Sequence, residues 1–521
     1  MMEVHQYTHI FVLGLIFAFF DAFGIGANDV ANSFATSVSS KSLTLKQAYA
    51  IAVICEFGGG MLLGASVGDT IKGKIIDVEL FANQPELLML GFLCALVSSS
   101  AWVIFATYCG WPVSTTHSII GAVAGVGIAA FGFNAVSFAW GTGGLSEIIA
   151  SWFISPVVAG VVATLIFLFT KYVVLIHKNS LRRGLMVIPV YIFVAIFVGA
   201  LYLILKSGKK QTISDNNAAL IFGGSLGAAA AAAIIAAFFL VPWLRRKLEK
   251  EETVKWFHVF NPFLSPQPHN ENINKELEMF LDHGAQQFAK EDDATKLESG
   301  EITTVEVEEV PKENSAKSFT KKLFSGFNSD VVTVTSSHVA AVHDHAVKYD
   351  PKTEYLYSFV QVLTASFASF AHGSNDLANA VGPLSAIYTI WSSAAVGSKV
   401  PVQTWTLAYG ATALCIGFLL YGHNIMKSLG NGITFHTPSR GFSMEFGAAL
   451  TVLTASYIGL PVSTTHCITG ATAGVGLSNG NVKAVNWKML AWCFFSWVIT
   501  VPVAAVIAGA LFAFLSSNPH F

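Results

Sequence analysis

Two short stretches carry most of the chemistry available to this chain, and each occurs twice. "PVSTTH" spans 112–117 and again 461–466, while "GIGANDVAN" at 24–32 is answered by "AHGSNDLAN" at 371–379. A proline is well placed in the first turn of a helix, so Ser114, Thr115 and Thr116 would hold hydroxyls beside unpaired backbone N–H groups. A helix N-terminus carries partial positive charge, and this combination suits a tetrahedral oxyanion. Ser463, Thr464 and Thr465 repeat the set. Two such ends could grip one anion from both sides. His117 and His466 follow them, either as orienting and packing groups or as proton carriers or direct ligands.

The second motif has cation chemistry. Asn28 and Asn32 lie four apart on one helix face, with Asp29 beside them. Gly24 and Gly26 are expected to break the helix there and free carbonyl oxygens. Asn375, Asp376 and Asn379 offer the same groups after Gly373. Amide oxygens, free carbonyls and a carboxylate suit sodium, and unwound backbone at membrane depth is tolerated where it lines a site. A lone asparagine would be read as interhelical glue. An ionisable residue at membrane depth costs about 2.5–3.5 kcal/mol to insert, and its usual meaning is functional. Glu56 and Glu445 are further carboxylates in apolar runs, read as cation ligands or helix-pairing groups. Asp21 and His372 flank the motifs.

These residues need elements that hold them in an apolar medium. The chain has 521 residues, 53% hydrophobic and 12% charged, against about 25% charged in a soluble domain. Apolar runs at 8–25, 45–68, 146–170, 186–206, 218–242 and 486–516 approach or exceed the roughly 20 residues of a membrane helix. The expected fold is an all-α polytopic membrane protein. Six scattered cysteines without a C-x-x-C pair suggest neither a zinc site nor a disulfide framework. The N-terminus shows no cleavable signal, so the first apolar run is expected to remain. Trp140, Trp152 and Trp391 have the look of interfacial anchors.

The organisation is a duplication around a polar insert. The offset is about 347 residues for the Asn-Asp motif and about 349 for "PVSTTH", and a weaker match joins "SWFISPVVAG" to "SWVITVPVAAVIAG". The expected division is 1–242, a first membrane repeat plus extra helices; 243–352, a polar and largely disordered loop; and 353–521, a second repeat. The insert opens with "RRKLEKEE" and holds an acidic tract from Lys290. The loop 171–183 carries Lys171, Lys178, Arg182 and Arg183, the loop 207–217 only Lys209 and Lys210. Positive charge therefore puts the first of these loops and the insert in the cytoplasm. Seven apolar segments precede the insert, an odd number that inverts the second half. If the stretch 113–132 does not cross, six remain and the inversion loses this support. Duplicated membrane halves point to a transporter with its site at the repeat interface.

"GANDVANSF", "PVSTTHSI", "GSNDLANAVGPL" and "GLPVSTTHC" resemble the inorganic phosphate transporter (PiT) family, over roughly 8–242 and 353–516. The long insert resembles its eukaryotic, sodium-phosphate symporter branch. The resemblance implies a plasma-membrane phosphate symporter driven by sodium or, in some members, protons. It implies about 12 membrane segments in two inverted repeats, re-entrant hairpins and a homodimer. It also implies essential aspartates at Asp29 and Asp376, phosphate-binding hydroxyls at Ser114, Thr115, Thr116, Ser463, Thr464 and Thr465, important glutamates at Glu56 and Glu445, and a histidine at His372. The first copy has no histidine before its Asn-Asp pair, so the halves are not equivalent for a proton step. No cofactor or nucleic acid is expected, only sodium as co-substrate. The competing expectations are a proton-coupled carrier, a carrier of another oxyanion such as sulfate, a nutrient receptor, and a membrane hydrolase using Ser114 and His117. Duplication speaks against the hydrolase, which needs one site.

Overall fold

The computed structural model describes residues 2–65, 75–138, 140, 144–207, 215–281, 336–396, 402–430 and 432–517. The acidic tract and Lys209 and Lys210 lie outside the described residues. The first half contains α1 (Thr8–Ser39), α2 (Leu45–Leu63), α3 (Pro85–Tyr108), α4 (Thr115–Phe131), α5 (Leu145–Thr170), α6 (Ser180–Ser207) and α7 (Asp215–Ile235). The insert contributes α8 (Ile273–Leu281) and α9 (Ser337–Asp344). The second half contains α10 (Pro351–Ser393), α11 (Thr404–Tyr421), α12 (His423–Leu429), α13 (Pro438–Tyr457), α14 (Thr464–Leu477) and α15 (Trp487–Ser516). Among the described residues, seven helical runs are long and apolar enough to cross a membrane. α2, α10 and α13 are not among those seven; they bear Glu56, the second Asn-Asp motif and Glu445.

Local signals explain the helix starts. Thr44 and Gln47 form a capping box at α2. Pro85 opens α3 and Pro351 opens α10, where the Asp350 carboxylate accepts from the Thr353 N–H at 2.9 Å.

The helices pair as an inverted duplication. α1 packs on α11 as α10 packs on α2, and α4 packs on α15 as α14 packs on α5. Where α1 meets α10, contacts pair Gly14 with Ile387, Asp29 with His372 and Ser40 with Gln361. The equivalent helices therefore run antiparallel. α3 runs parallel to α1, with Gly24 on Val103 and Asn28 on Thr107, so α3 ends at the middle of α1. α4 turns back from that point. At 17 residues α4 is short for a span, and α14, at 14, is shorter. The antiparallel run of α1 and α10 carries the inversion directly, without a count of crossings.

Two expectations need correction. α1 and α10 are continuous through their Asn-Asp motifs and are not broken there. The glycines instead permit close crossing: a Cβ on Gly26 would stand 2.0 Å from the Leu414 carbonyl oxygen, and one on Gly373 would stand 2.3 Å from that of Glu56. The small residue admits a neighbouring backbone, as membrane helix crossings commonly require.

The described ends of the insert are folded. The α7 run continues as helix to Glu249, past the expected boundary at 242. Ile273 and Leu277 of α8 are buried in the same apolar cluster as Leu356 of α10. Arg182 pairs with Glu249 at 2.8 Å, which puts the 171–183 loop and the insert at one end of the molecule.

Candidate functional site

Both hairpin tips meet the middle of the α1/α10 crossing. The first turns start differently from the expected proline-led helices. Ser114 and Ser463 are the N-caps, and their hydroxyl oxygens accept from the backbone N–H groups of His117 (3.2 Å) and His466 (3.3 Å). Pro112 and Pro461 precede the caps. The four threonines that follow face two carboxylates. Thr115 donates to Asp29 at 2.7 Å, and Thr464 donates to Asp376 at 2.7 Å. Across the repeats, Thr465 donates to Asp29 and Thr116 to Asp376, each at 3.3 Å.

The asparagines divide into two roles. Asn32 donates to Thr464 (3.1 Å) and Thr465 (2.9 Å), and Asn379 donates to Thr115 (3.4 Å) and Thr116 (3.2 Å). Each thus binds the hydroxyls of the other repeat. Among the described residues Asn32 Oδ1 has no hydrogen-bond partner, a buried acceptor oxygen available to a cation. Asn28 and Asn375 do not form the expected cage. Asn28 donates to Thr107 (2.9 Å) and the Trp111 carbonyl (3.1 Å) and accepts from Val113 N–H (3.2 Å). Asn375 donates to Asp376 (2.7 Å) and the Val462 carbonyl (2.8 Å) and accepts from Ser456. Both clamp the hairpin tips onto α1 and α10.

His372 occupies the centre. Its Nε2 lies 3.0 Å from Asp376 Oδ2 and 3.8 Å from Asp29 Oδ2, and its Nδ1 lies 2.6 Å from Glu56 Oε2. One ligand atom from each of Asp29, His372 and Asp376 falls within 4.8 Å of the others. Glu56 reaches this cluster only through His372, because its second oxygen accepts from Ser369 at 3.0 Å. Glu445 is not brought to it. It binds Thr36 (2.6 Å), Ser37 (2.5 Å), Gln361 (3.0 Å) and Thr364 (2.7 Å). Thr36 stands seven residues beyond Asp29, about 10 Å along the helix axis. The sequence reading missed these four partners. The signal for Thr36 and Ser37 was a run of hydroxyl residues continuing along α1 after the Asn-Asp motif, whereas Gln361 and Thr364 come from α10.

His117 and His466 face away from the carboxylates. Their rings lie 4.5 Å apart, His117 against Trp152 (4.0 Å) and His466 against Trp497 (3.8 Å). His466 Nδ1 also lies 3.2 Å from the Trp152 carbonyl oxygen. Trp152 is therefore a ring support between repeats rather than an interfacial anchor, whereas Trp140 is largely exposed. His117 does not place its ring as a base for Ser114; only its backbone N–H meets that hydroxyl. The glycines after each motif bring in the supporting helices: a Cβ on Gly121 would stand 2.6 Å from the Val501 carbonyl oxygen, and one on Gly470 would stand 2.1 Å from that of Pro156.

The chain is similar to known proteins over almost its whole length. The phosphate transporter family (PHO4) matches residues 25–508. The chain is 38% identical to the phosphate-repressible phosphate permease pho-4 of Neurospora crassa, covering 100% of this chain and 99% of that one. It is 30% identical to the sodium-dependent phosphate transporter 1-A of Danio rerio, covering 97% and 94%. A solved structure titled the sodium-dependent phosphate transporter superposes with a TM-score of 0.69 at 30% identity, covering 98% of this chain and 99% of that chain. The chain belongs to the phosphate transporter family.

Proposed function

We propose that the chain carries inorganic phosphate together with sodium, both held where the hairpin tips meet Asp29 and Asp376. The observation that carries the reading is the two-carboxylate cluster ringed by four threonine hydroxyls at two helix N-termini. In the closed lattice these hydroxyls donate to the carboxylates. An anion needs the same donors, and two bare carboxylates would repel it. Sodium at Asp29, Asp376 and Asn32 Oδ1 would offset that charge and free Thr115, Thr116, Thr464 and Thr465 to donate to phosphate, aided by the N-terminal amides. Cation first and anion second follows from this competition. Glu445, with its hydroxyl and amide partners, is proposed as a separate sodium position nearer the insert. Glu56 acts by holding His372.

A second reading has one observation behind it. His372 sits among three carboxylates, where a protonated imidazole could stand in for a cation, so proton coupling is the alternative. The decisive measurement is uptake of labelled phosphate into proteoliposomes with sodium replaced by choline at two pH values. Uptake that persists in choline and rises at the lower pH would replace sodium by protons. Sodium binding to Asp29→Asn without phosphate tests the residue assignment: unchanged affinity removes Asp29 from the cation site.

We also infer a plasma-membrane protein with the insert in the cytoplasm, on the strength of the basic 171–183 loop at the same end. An epitope in the insert that is reached without permeabilising cells would overturn that orientation.

A further inference from the structure

Beyond the transport site, a cavity of about 1050 Å³ opens at the insert-bearing end, between α9 and the start of α15. Lys483, Lys488, His338 and His345 line it together with Trp487 and Trp492, and no carboxylate lines it among the described residues. Neither lysine has a carboxylate partner among those residues. Trp487 is 52% exposed and Trp492 39%. The next turns of α15 expose only apolar groups, Phe494, Phe495 and Val498. The cavity therefore sits where a cationic, aromatic surface gives way to one that faces acyl chains, the level at which tryptophans favour a membrane interface.

The duplication supplies an internal control. The equivalent segment before α5 lies at the opposite end of the molecule. There Asn134 stands where the insert end has Lys483, and Glu147 stands where it has Trp492. The cavity near that segment, between α5 and α13, includes Glu147 in its lining. The two equivalent surfaces thus differ in charge, with the cationic one on the side of the insert and the basic 171–183 loop. That is the expected divergence if one leaflet alone presents anionic headgroups.

We propose that this cavity binds an anionic phospholipid of the insert-side leaflet. Lys483 and Lys488 hold the headgroup phosphate, His338 and His345 flank it, Trp487 and Trp492 sit at the glycerol level, and the acyl chains follow Phe495. Free inorganic phosphate shares the headgroup's chemistry but would gain nothing from the aromatic and apolar wall.

The test uses the full chain in nanodiscs of phosphatidylcholine with a minority of phosphatidylserine, with retained lipid counted by native mass spectrometry after detergent extraction. Preferential retention of phosphatidylserine is expected, falling by about fivefold for each of Lys483→Ala and Lys488→Ala. Lys483→Arg should retain it, and Glu147→Ala at the opposite end should change nothing. Thermal unfolding and uptake in pure phosphatidylcholine vesicles show that the variants fold, and keep the outcome separate from the transport reading. Equal retention by the double alanine variant overturns the site. So does displacement of the lipid by millimolar inorganic phosphate, or occupation of the cavity by a second copy of the chain, seen as cross-linking through Trp487→Cys.

Discussion

The second half of α1 and the second half of α10 are the same element in opposite orientations, yet they differ in chemistry. After Asn32, α1 continues with Ser33, Thr36, Ser37 and Ser39 and is capped by Ser40, all buried. The equivalent stretch of α10 after Asn379 has Ala380, Pro383, Leu384, Ala386 and Ile387. The hairpins differ in the same sense, since Glu445 in α13 corresponds to Leu96 in α3. At the centre the symmetry returns: each aspartate takes one threonine from its own repeat and one from the other. His372, opposite Ile25 in the first copy, departs from it, and so does Asn375, which donates to Asp376 while Asn28 donates to Thr107 and Trp111. Duplication built the site, and divergence placed a polar track on the insert side alone. A carrier needs a pocket that both faces can reach, but its ion coupling needs only one set of auxiliary ligands.

The largest expected effect tests the symmetric part. Asp29→Asn and Asp376→Asn should each lower phosphate uptake roughly 100-fold, since each removes hydrogen bonds to a charged group that contribute about 1.5–3 kcal/mol. Equal losses support one shared site. If one variant keeps ordinary uptake while the other is dead, the two carboxylates are not equivalent and the shared site fails.

This symmetric core was also the part most legible in the sequence. Asp29, Asp376 and the two Ser-Thr-Thr runs stood out because polar residues in apolar runs are costly and duplication repeats them. The division of labour was hidden. Asn28 and Asn32 look alike at four-residue spacing, yet one clamps Thr107 and Val113 while the other meets Thr464 and Thr465. Which face meets which neighbour is set by helix crossing, which no single segment encodes. The glycines misled in the same way. Gly26 was expected to loosen α1, but its missing Cβ serves the contact with Leu414, a residue almost 400 positions away. His372 and Glu56 were each visible, but their 2.6 Å contact joins two repeats.

The packing behind the hairpins should be as symmetric as the aspartates. Gly121→Ala and Gly470→Ala each push a methyl into a facing carbonyl, and overpacking of this kind costs about 1–3 kcal/mol. Both should lower the thermal midpoint in detergent by similar amounts. A large drop for one and none for the other would show that the two hairpins are braced differently.

The asymmetric track gives a smaller, selective effect. Glu445→Gln keeps size but removes the charge and puts an NH2 in place of one oxygen, either Oε1, which faces the donors Thr36, Ser37 and Gln361, or Oε2, which faces Thr364. The sodium concentration for half-maximal uptake should rise roughly tenfold, an effect of about 1.4 kcal/mol and close to one hydrogen bond to a charged group. Phosphate affinity at saturating sodium should hold. Leu96→Met, the volume-conserving change at the equivalent position, should leave sodium dependence untouched. A matching sodium shift in Leu96→Met would mean that Glu445 acts through packing.

The smallest effect concerns the residues that open the hairpin helices. Ser114 and Ser463 were expected to bind phosphate with the threonines, but each spends its oxygen on the third backbone N–H of its helix. Ser114→Ala and Ser463→Ala should therefore cost about 1 kcal/mol of stability, the usual loss of an N-cap. Phosphate affinity should weaken only as far as the first turn frays, whereas Thr115→Val and Thr464→Val remove a hydroxyl that touches the carboxylates directly. Isothermal titration with phosphate at saturating sodium separates the two. If Ser114→Ala loses affinity as severely as Thr115→Val while its thermal midpoint is unchanged, the serine is a ligand after all. The cap would then be a resting arrangement that phosphate displaces.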